Sequence, residues 1–230
     1  MGIKITNLTK KYDSFGTEIV ALGGVNLTFK DGELVAVVGE SGSGKTTLLN
    51  QMCGLDVPDR GEIIIDGIDL TMLSSDELCK MRRSKIGVVY QFYNLIPELN
   101  IRDNITLPVE LDGGKIDEEA LSEILKTVGL FGRERDFPSA LSGGQKQRAA
   151  IARALFQKPS LILADEPTGN LDEKNSEDIL GLLCRLNEEK KITVIIVTHS
   201  KAVADRAKRL VTLKGGQVIS DEFCVNAPGT

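Results

Sequence analysis

The sequence predicts an α/β fold, a core of buried strands and helices that carries one long all-helical insertion. Three observations lead there. Leu34-Val35-Ala36-Val37-Val38 and Leu161-Ile162-Leu163-Ala164 are short continuous apolar runs, the mark of strands buried on both faces. The first run ends in the glycine-rich stretch Gly39 to Gly44, and an apolar helical pattern through Leu48, Leu49 and Met52 comes next. From Asn100 to about Pro159 the apolar spacing changes to the 3.6-residue period of helices.

In chain order, Ile3, Ile5 and Leu8 begin an extended segment, and Val25, Leu27 and Phe29 alternate up to a turn at Asp31-Gly32. After the glycine-rich loop and its helix, Ile63-Ile64-Ile65 turns at Asp66-Gly67, and Ile86 to Tyr90 is another strand. Ser75 to Arg83, between them, reads as a short helix. In the insertion, a helix from Asp117 to Val128 places Leu121, Ile124, Leu125 and Val128 on one face. Its acidic start, Asp117-Glu118-Glu119, suits a helix N-terminus. A second helix is expected from Gly144 to Gln157, punctuated by Pro138 and Pro159. The α/β pattern then returns: Leu161 to Ala164, a helix with Ile179, Leu182, Leu183 and Leu186, and a buried strand from Thr193 to Thr198. Arg209 to Thr212 and Gln217 to Ser220 flank Gly215-Gly216 as a hairpin, and Asn226 to Thr230 read as a tail. No repeat or flexible linker divides the chain, so one α/β unit with an insertion is expected.

Composition narrows the function. The chain has 28 Lys and Arg against 33 Asp and Glu, a net charge of -5, which disfavours a protein that grips nucleic-acid phosphates. Aromatic residues make up 4% with no Trp, which argues against a base-stacking platform. No apolar stretch is long enough to span a membrane, and the N-terminus lacks the apolar core of a signal peptide. Cys53, Cys79, Cys184 and Cys224 are scattered without a CxxC pair, as reduced thiols of a cytosolic protein would be. A single histidine cannot build a His-rich metal site.

Chemistry enters at Gly39-Glu40-Ser41-Gly42-Ser43-Gly44-Lys45-Thr46, the spacing of a phosphate-binding loop between a strand and a helix. Glycines let backbone N–H groups turn inward on phosphates, and the helix start aims more of them at the same charge. Lys45 can neutralise the β/γ-phosphates, and the Thr46 hydroxyl can bind Mg²⁺. The run Leu161 to Ala164 delivers Asp165 and Glu166 to the strand's C-terminal end, where α/β sheets bind ligands. There Asp165 can hold Mg²⁺ or its water, and Glu166 can polarise an attacking water.

Leu141-Ser142-Gly143-Gly144-Gln145 completes a pattern that resembles the ATP-binding subunit of ABC transporters over almost the whole length. The resemblance implies a P-loop core with an antiparallel β subdomain over 1–91 and 160–230, and an all-helical subdomain over 92–159. Gly39 to Thr47 look like the first nucleotide motif. Gln91 looks like the glutamine that links core to insertion and reaches the metal, and Ser142 to Gln145 like the signature that binds nucleotide. Asp165 and Glu166 look like the metal-associated aspartate and the catalytic glutamate, and Asn170-Leu171-Asp172 like the loop across a dimer interface. His199 stands where the switch histidine belongs, and Tyr12 where an aromatic ring stacks on adenine.

The resemblance further implies a Mg-dependent ATPase subunit acting as an ATP-dependent head-to-tail homodimer. Its expected place is the inner face of the cell membrane, through a transmembrane permease partner, with no nucleic acid and no membrane insertion of its own. Ser142 can cap the helix behind it, and the glycine pair bares backbone N–H groups for a phosphate held by the other subunit. The run Phe92, Tyr93, Leu95, Ile96 and Pro97, within Gln91 to Asn104, is the expected permease contact. Thr168-Gly169, and Ser14 to Glu18 as a lengthened loop after Tyr12, resemble the branch of lipoprotein-release, macrolide-export, antimicrobial-peptide-export and cell-division ATPases. The alternative role is therefore a regulatory or mechanical ATPase that moves no substrate. DNA-repair and translation ATPases with the same signature need coiled-coil insertions or paired cassettes, which this chain lacks.

Overall fold

A computed structural model describes residues 2–14 and 16–224, so the expected tail at Asn226 to Thr230 lies outside the described residues. β1 (Gly2–Ser14) and β2 (Thr17–Lys30) form a long antiparallel hairpin, with β4 (Arg60–Ile65) on the other side of β1 and β5 (Ile68–Asp69) beyond it. The lengthened loop expected after Tyr12 is instead the hairpin tip. Tyr12 pairs with Ile19 and Ser14 with Thr17, because Asp13 accepts the Gly16 N–H at 3.0 Å and Gly16 takes a φ of 80°.

The second sheet has the order β10-β9-β3-β8-β7-β6. Its parallel strands are β3 (Leu34–Val38), β6 (Ile86–Val89), β7 (Leu161–Asp165), β8 (Thr193–Thr198) and β9 (Arg209–Lys214), and β10 (Gln217–Phe223) closes one edge antiparallel to β9. The apolar runs are buried on both faces as expected, and alternation divides them between two cores. Val35, Val37, Leu161, Leu163, Ile195 and Val197 face the core shared with the hairpin sheet and α1 (Lys45–Met52). Leu34, Ala36, Ile162, Ala164, Val194 and Ile196 face the helices α3 (Ile101–Leu111), α4 (Glu118–Val128), α5 (Gly143–Phe156) and α6 (Glu173–Lys190). The remaining helices are α2 (Ser75–Lys85) and α7 (Lys201–Arg206).

Between β6 and β7 the described chain is helical throughout its regular elements. α4 and α5 lie within a residue of their expected starts, capped by Asp117 and Ser142. α5 is rich in Ala because it lies directly on the sheet: a Cβ at Gly87 in β6 would sit 3.0 Å from the Ala154 Cβ.

Arg209 ties the two sheets together. Its side chain is 7% exposed, and its guanidinium donates to Thr28 O and Glu33 Oε2 at 2.8 Å and to both Asp221 oxygens at 2.7 Å. The rings of Phe29 and Phe223 lie 5.3 and 5.2 Å from it. Two carboxylates and a carbonyl offset the desolvation of one cation, so the cluster is satisfied as a unit. All four cysteines are free.

Candidate active site

The phosphate loop joins β3 to α1. α2 to α6 are each capped by a side chain (Ser74, Asn100, Asp117, Ser142 and Asp172), whereas α1 begins at Gly44 with none. Its first turn holds no acidic residue and opens on Lys45, so its N–H groups and a cation face the same way. The loop's glycines answer to close approach: a Cβ at Gly39 would lie 2.3 Å from Leu213 O, and one at Gly44 (φ 102°) would lie 2.4 Å from Ala21 O. Lys45 is buried and donates to Gly39 O at 2.9 Å and Glu40 O at 2.8 Å, leaving its third N–H uncommitted by those two bonds. The buried Ser43 hydroxyl has no partner. Uncapped donors, a cation and an orphaned hydroxyl in one loop fit an anion with several oxygens.

Beside the loop, Thr46 Oγ1 donates to Asp165 Oδ1 at 3.4 Å. Burial raises the Asp165 carboxyl above the ordinary carboxylate range, and the neighbouring Glu166 adds to the rise against the opposing pull of Thr46 and Lys45. A desolvated carboxylate facing a hydroxyl is a hard-oxygen donor set, which fits Mg²⁺. Glu166 comes next in a left-handed conformation, φ 44°, and its carboxylate meets the end of β8. Its Oε2 accepts from Thr198 Oγ1 at 2.8 Å, and its Oε1 accepts the His199 backbone N–H at 2.9 Å. His199 Nδ1 lies 2.6 Å from the same Oε1, a donor distance for the tautomer protonated there. β7 and β8 are parallel neighbours, so their C-terminal ends bring together Asp165, Glu166 and His199, as the sequence expects.

Gln91, just beyond β6, has other company. Its Nε2 donates to Asn170 Oδ1 at 3.4 Å, and Asn170 Nδ2 donates to Gln91 O at 3.1 Å, so the amide meets the loop after β7 and makes no hydrogen bond to Thr46 or Asp165. Ser142 caps α5 in a reciprocal pair: its Oγ accepts the Gln145 N–H at 3.3 Å, and its own N–H donates to Gln145 Oε1 at 3.0 Å. Gly143 and Gly144 also meet a packing demand that sequence reasoning missed. A Cβ on them would lie 3.0 Å from the Tyr93 hydroxyl and 2.3 Å from Asn175 Oδ1. None of these neighbours belongs to the phosphate loop.

Tyr12 lies within β1, 40% exposed, with its hydroxyl donating to Asp56 Oδ2 at 2.7 Å. Lys10 bonds the other Asp56 oxygen at 2.7 Å and stands 5.3 Å from the Tyr12 ring centre. Asp56 carries no sequence signal, because Lys10 and Tyr12, the side chains it holds, lie more than forty residues upstream.

Residues 22–169 match the ABC transporter family. The chain belongs to that family. Its relatives include the "uncharacterized ABC transporter ATP-binding protein MJ0796" of Methanocaldococcus jannaschii, 48% identical over 96% of both chains. The macrolide export ATP-binding/permease protein MacB of Escherichia coli is 42% identical over 99% of this chain, which spans 36% of that longer protein. Among solved structures, a dimeric post-hydrolysis state of the cassette MJ0796 bound to ADP and Pi superposes with a TM-score of 0.88 at 45% identity, covering 96% of this chain and 98% of that one. Family and geometry agree on an ABC ATP-binding cassette with a P-loop core, an antiparallel sheet and helical elements. No helix among the described residues is long and apolar enough to cross a membrane.

Proposed function

We propose that this cassette hydrolyses Mg·ATP between two head-to-tail copies of itself and thereby drives a separate transmembrane permease. The observation that carries it is the position of Glu166: a carboxylate gripped by Thr198 and His199 at the strand ends, next to the Thr46–Asp165 pair. The α1 N–H groups and Lys45 bind the phosphates, Lys45 exchanging loop carbonyls for phosphate oxygens. Thr46 and Asp165 would hold Mg²⁺, whose charge offsets that gathering on the β- and γ-oxygens. Glu166 orients water for in-line attack on the γ-phosphorus and accepts its proton, and His199 positions that water against the γ-phosphate. Tyr12 offers its ring to the base.

Ser142 to Gly144 of a second copy close the site over the γ-phosphate, with Gln145 holding the capped turn in shape. Gln91, joined to Asn170, reports the nucleotide site to the insertion. Two comparisons support the assembly: the ADP- and Pi-bound relative is dimeric, and the macrolide-export relatives are described as ATP-binding and permease protein in one chain. The permease surface is the exposed part of Gln91 to Asn104. Phe92 is 72% exposed and Ile96 37%, whereas Asn104 is buried and holds Ile96, Leu99 and Asn100 by their backbone. Residues 1–91 and 160–230 work as the nucleotide core and 92–159 as the arm toward the permease, at the inner face of the cell membrane.

The test is phosphate release from ATP with Mg²⁺ and with EDTA, on the purified chain and on the chain co-expressed with a candidate transmembrane permease from the same genome. Magnesium-dependent release that the permease stimulates is expected. Release that is indifferent to EDTA, or a chain that never co-purifies with that permease, would overturn the corresponding half of the proposal.

A further inference from the structure

Thr198 closes β8 with its side chain fully buried, and its hydroxyl makes two hydrogen bonds. The Ser200 backbone N–H donates to Oγ1 at 3.0 Å, and Oγ1 lies 2.8 Å from Glu166 Oε2. A threonine hydroxyl has one proton. The Ser200 N–H can only donate, so it occupies a lone pair of Oγ1, and the hydroxyl proton is left for the carboxylate. An ionised carboxylate can only accept, so the hydroxyl proton points to Glu166 Oε2 while the Ser200 N–H takes a lone pair of Oγ1. Glu166 Oε2 is thus held by a buried donor, while Oε1 accepts the His199 backbone N–H and lies beside the exposed His199 ring.

We propose that Thr198 is a positioning residue for hydrolysis: its buried hydroxyl holds Glu166 by Oε2 and so fixes the rotamer in which the carboxylate is offered to the attacking water. Of the groups that hold Glu166, the His199 side chain is 73% exposed, whereas the Thr198 hydroxyl is buried. The inference rests on Glu166 as the general base and adds the group that aims it. Sequence reasoning passes over Thr198 because a threonine ending a β-branched strand needs no further explanation.

The test is Thr198→Val, which keeps the branched shape in the buried site and removes the hydroxyl, with Thr198→Ser as the conservative variant. For the Val variant kcat should fall about tenfold, the scale of a lost hydrogen bond to a charged group. KM for ATP and affinity for a fluorescent ATP analogue should stay near the parent's, thermal stability should fall only by the loss of the Ser200 N–H acceptor, and Ser should restore both kcat and stability. In a Glu166→Gln background the Val change should cause no further loss in single-turnover rate. A Val variant with parent kcat overturns the proposal, and so does one whose nucleotide affinity falls and KM rises in step with the loss of kcat. If Glu166→Gln itself turns over like the parent, the general-base reading fails and this inference with it. If Glu166→Gln is inactive and Thr198→Val is not, the anchor alone is wrong.

Discussion

Thr46 Oγ1 meets Asp165 Oδ1 at 3.4 Å, the end of one strand reaching the first turn of a helix 119 residues earlier in the chain. The contact is long for an O–H···O bond, and burial disfavours the Asp165 charge. Asp165 is thus costly to the folded protein on its own, which is a common state for a metal-binding carboxylate.

Asp165→Asn should leave the nucleotide-free protein as stable as the parent or up to about 1 kcal/mol more stable, because a desolvated charge is replaced by a neutral isostere. Magnesium-dependent hydrolysis should collapse in the same variant. Urea unfolding and phosphate release read the two effects, and a clearly destabilised variant would show that Asp165 serves the fold instead.

Lys45→Ala removes the one cation from a loop of inward-facing donors. Affinity for MgATP should drop about tenfold or more, as expected for a charge-assisted contact worth roughly 1.5–3 kcal/mol. A fluorescent-analogue titration measures it. Affinity equal to the parent's would remove Lys45 from the phosphate site.

Glu166→Gln keeps the side chain's size and an oxygen to accept the Thr198 hydroxyl, but it cannot take a proton from water. Turnover should fall by about 10²–10⁴-fold while nucleotide binding survives, and a dimer should accumulate in ATP. Size exclusion with ATP and a phosphate-release assay check both. A monomeric variant with near-parent turnover would place the base elsewhere.

Ser142→Arg puts a bulky cation at the start of α5, where the neighbours are Tyr93 and Asn175 and not the phosphate loop. Nucleotide binding by the single chain should stay within about twofold of the parent, since the Lys45 site is untouched, whereas the ATP-dependent dimer is lost. Sedimentation in ATP and in ADP separates the two. Parental dimerisation would sink the head-to-tail arrangement.

Arg209→Ala leaves Glu33 and Asp221 facing each other's neighbourhood without their cation. A loss of about 3–5 kcal/mol is expected, the scale for breaking a buried charge cluster from one side. Denaturant unfolding gives the number, and a loss below about 1 kcal/mol would mean that the cluster relaxes into water.

The features that the sequence discloses and those it hides divide along physical lines. The buried strands are legible because each apolar run is continuous, and α4 and α5 because their caps and apolar period coincide at Asp117 and Ser142. α7 is not legible: its six residues bury only Val203 and have no side-chain cap. α3 is visible only as part of a helical stretch, since Pro108 lies inside it and its cap, Asn100, precedes no capping box. At the site, Lys45, Asp165, Glu166 and His199 stand out by spacing. Thr198, Asp56 and Arg209 do not, because their roles come from partners that only the fold brings within reach.

The capped start of α5 and the uncapped start of α1 also bear on molecularity. If each copy lends one end to its neighbour's nucleotide, catalysis by free chains is second order in protein, and specific activity falls on dilution. Two copies held on one permease pair would meet at an effective concentration on the order of millimolar, as short tethers provide. Turnover would then be set by occupancy of the membrane assembly and would be insensitive to how much cassette the cell makes, so unassembled copies would consume little ATP.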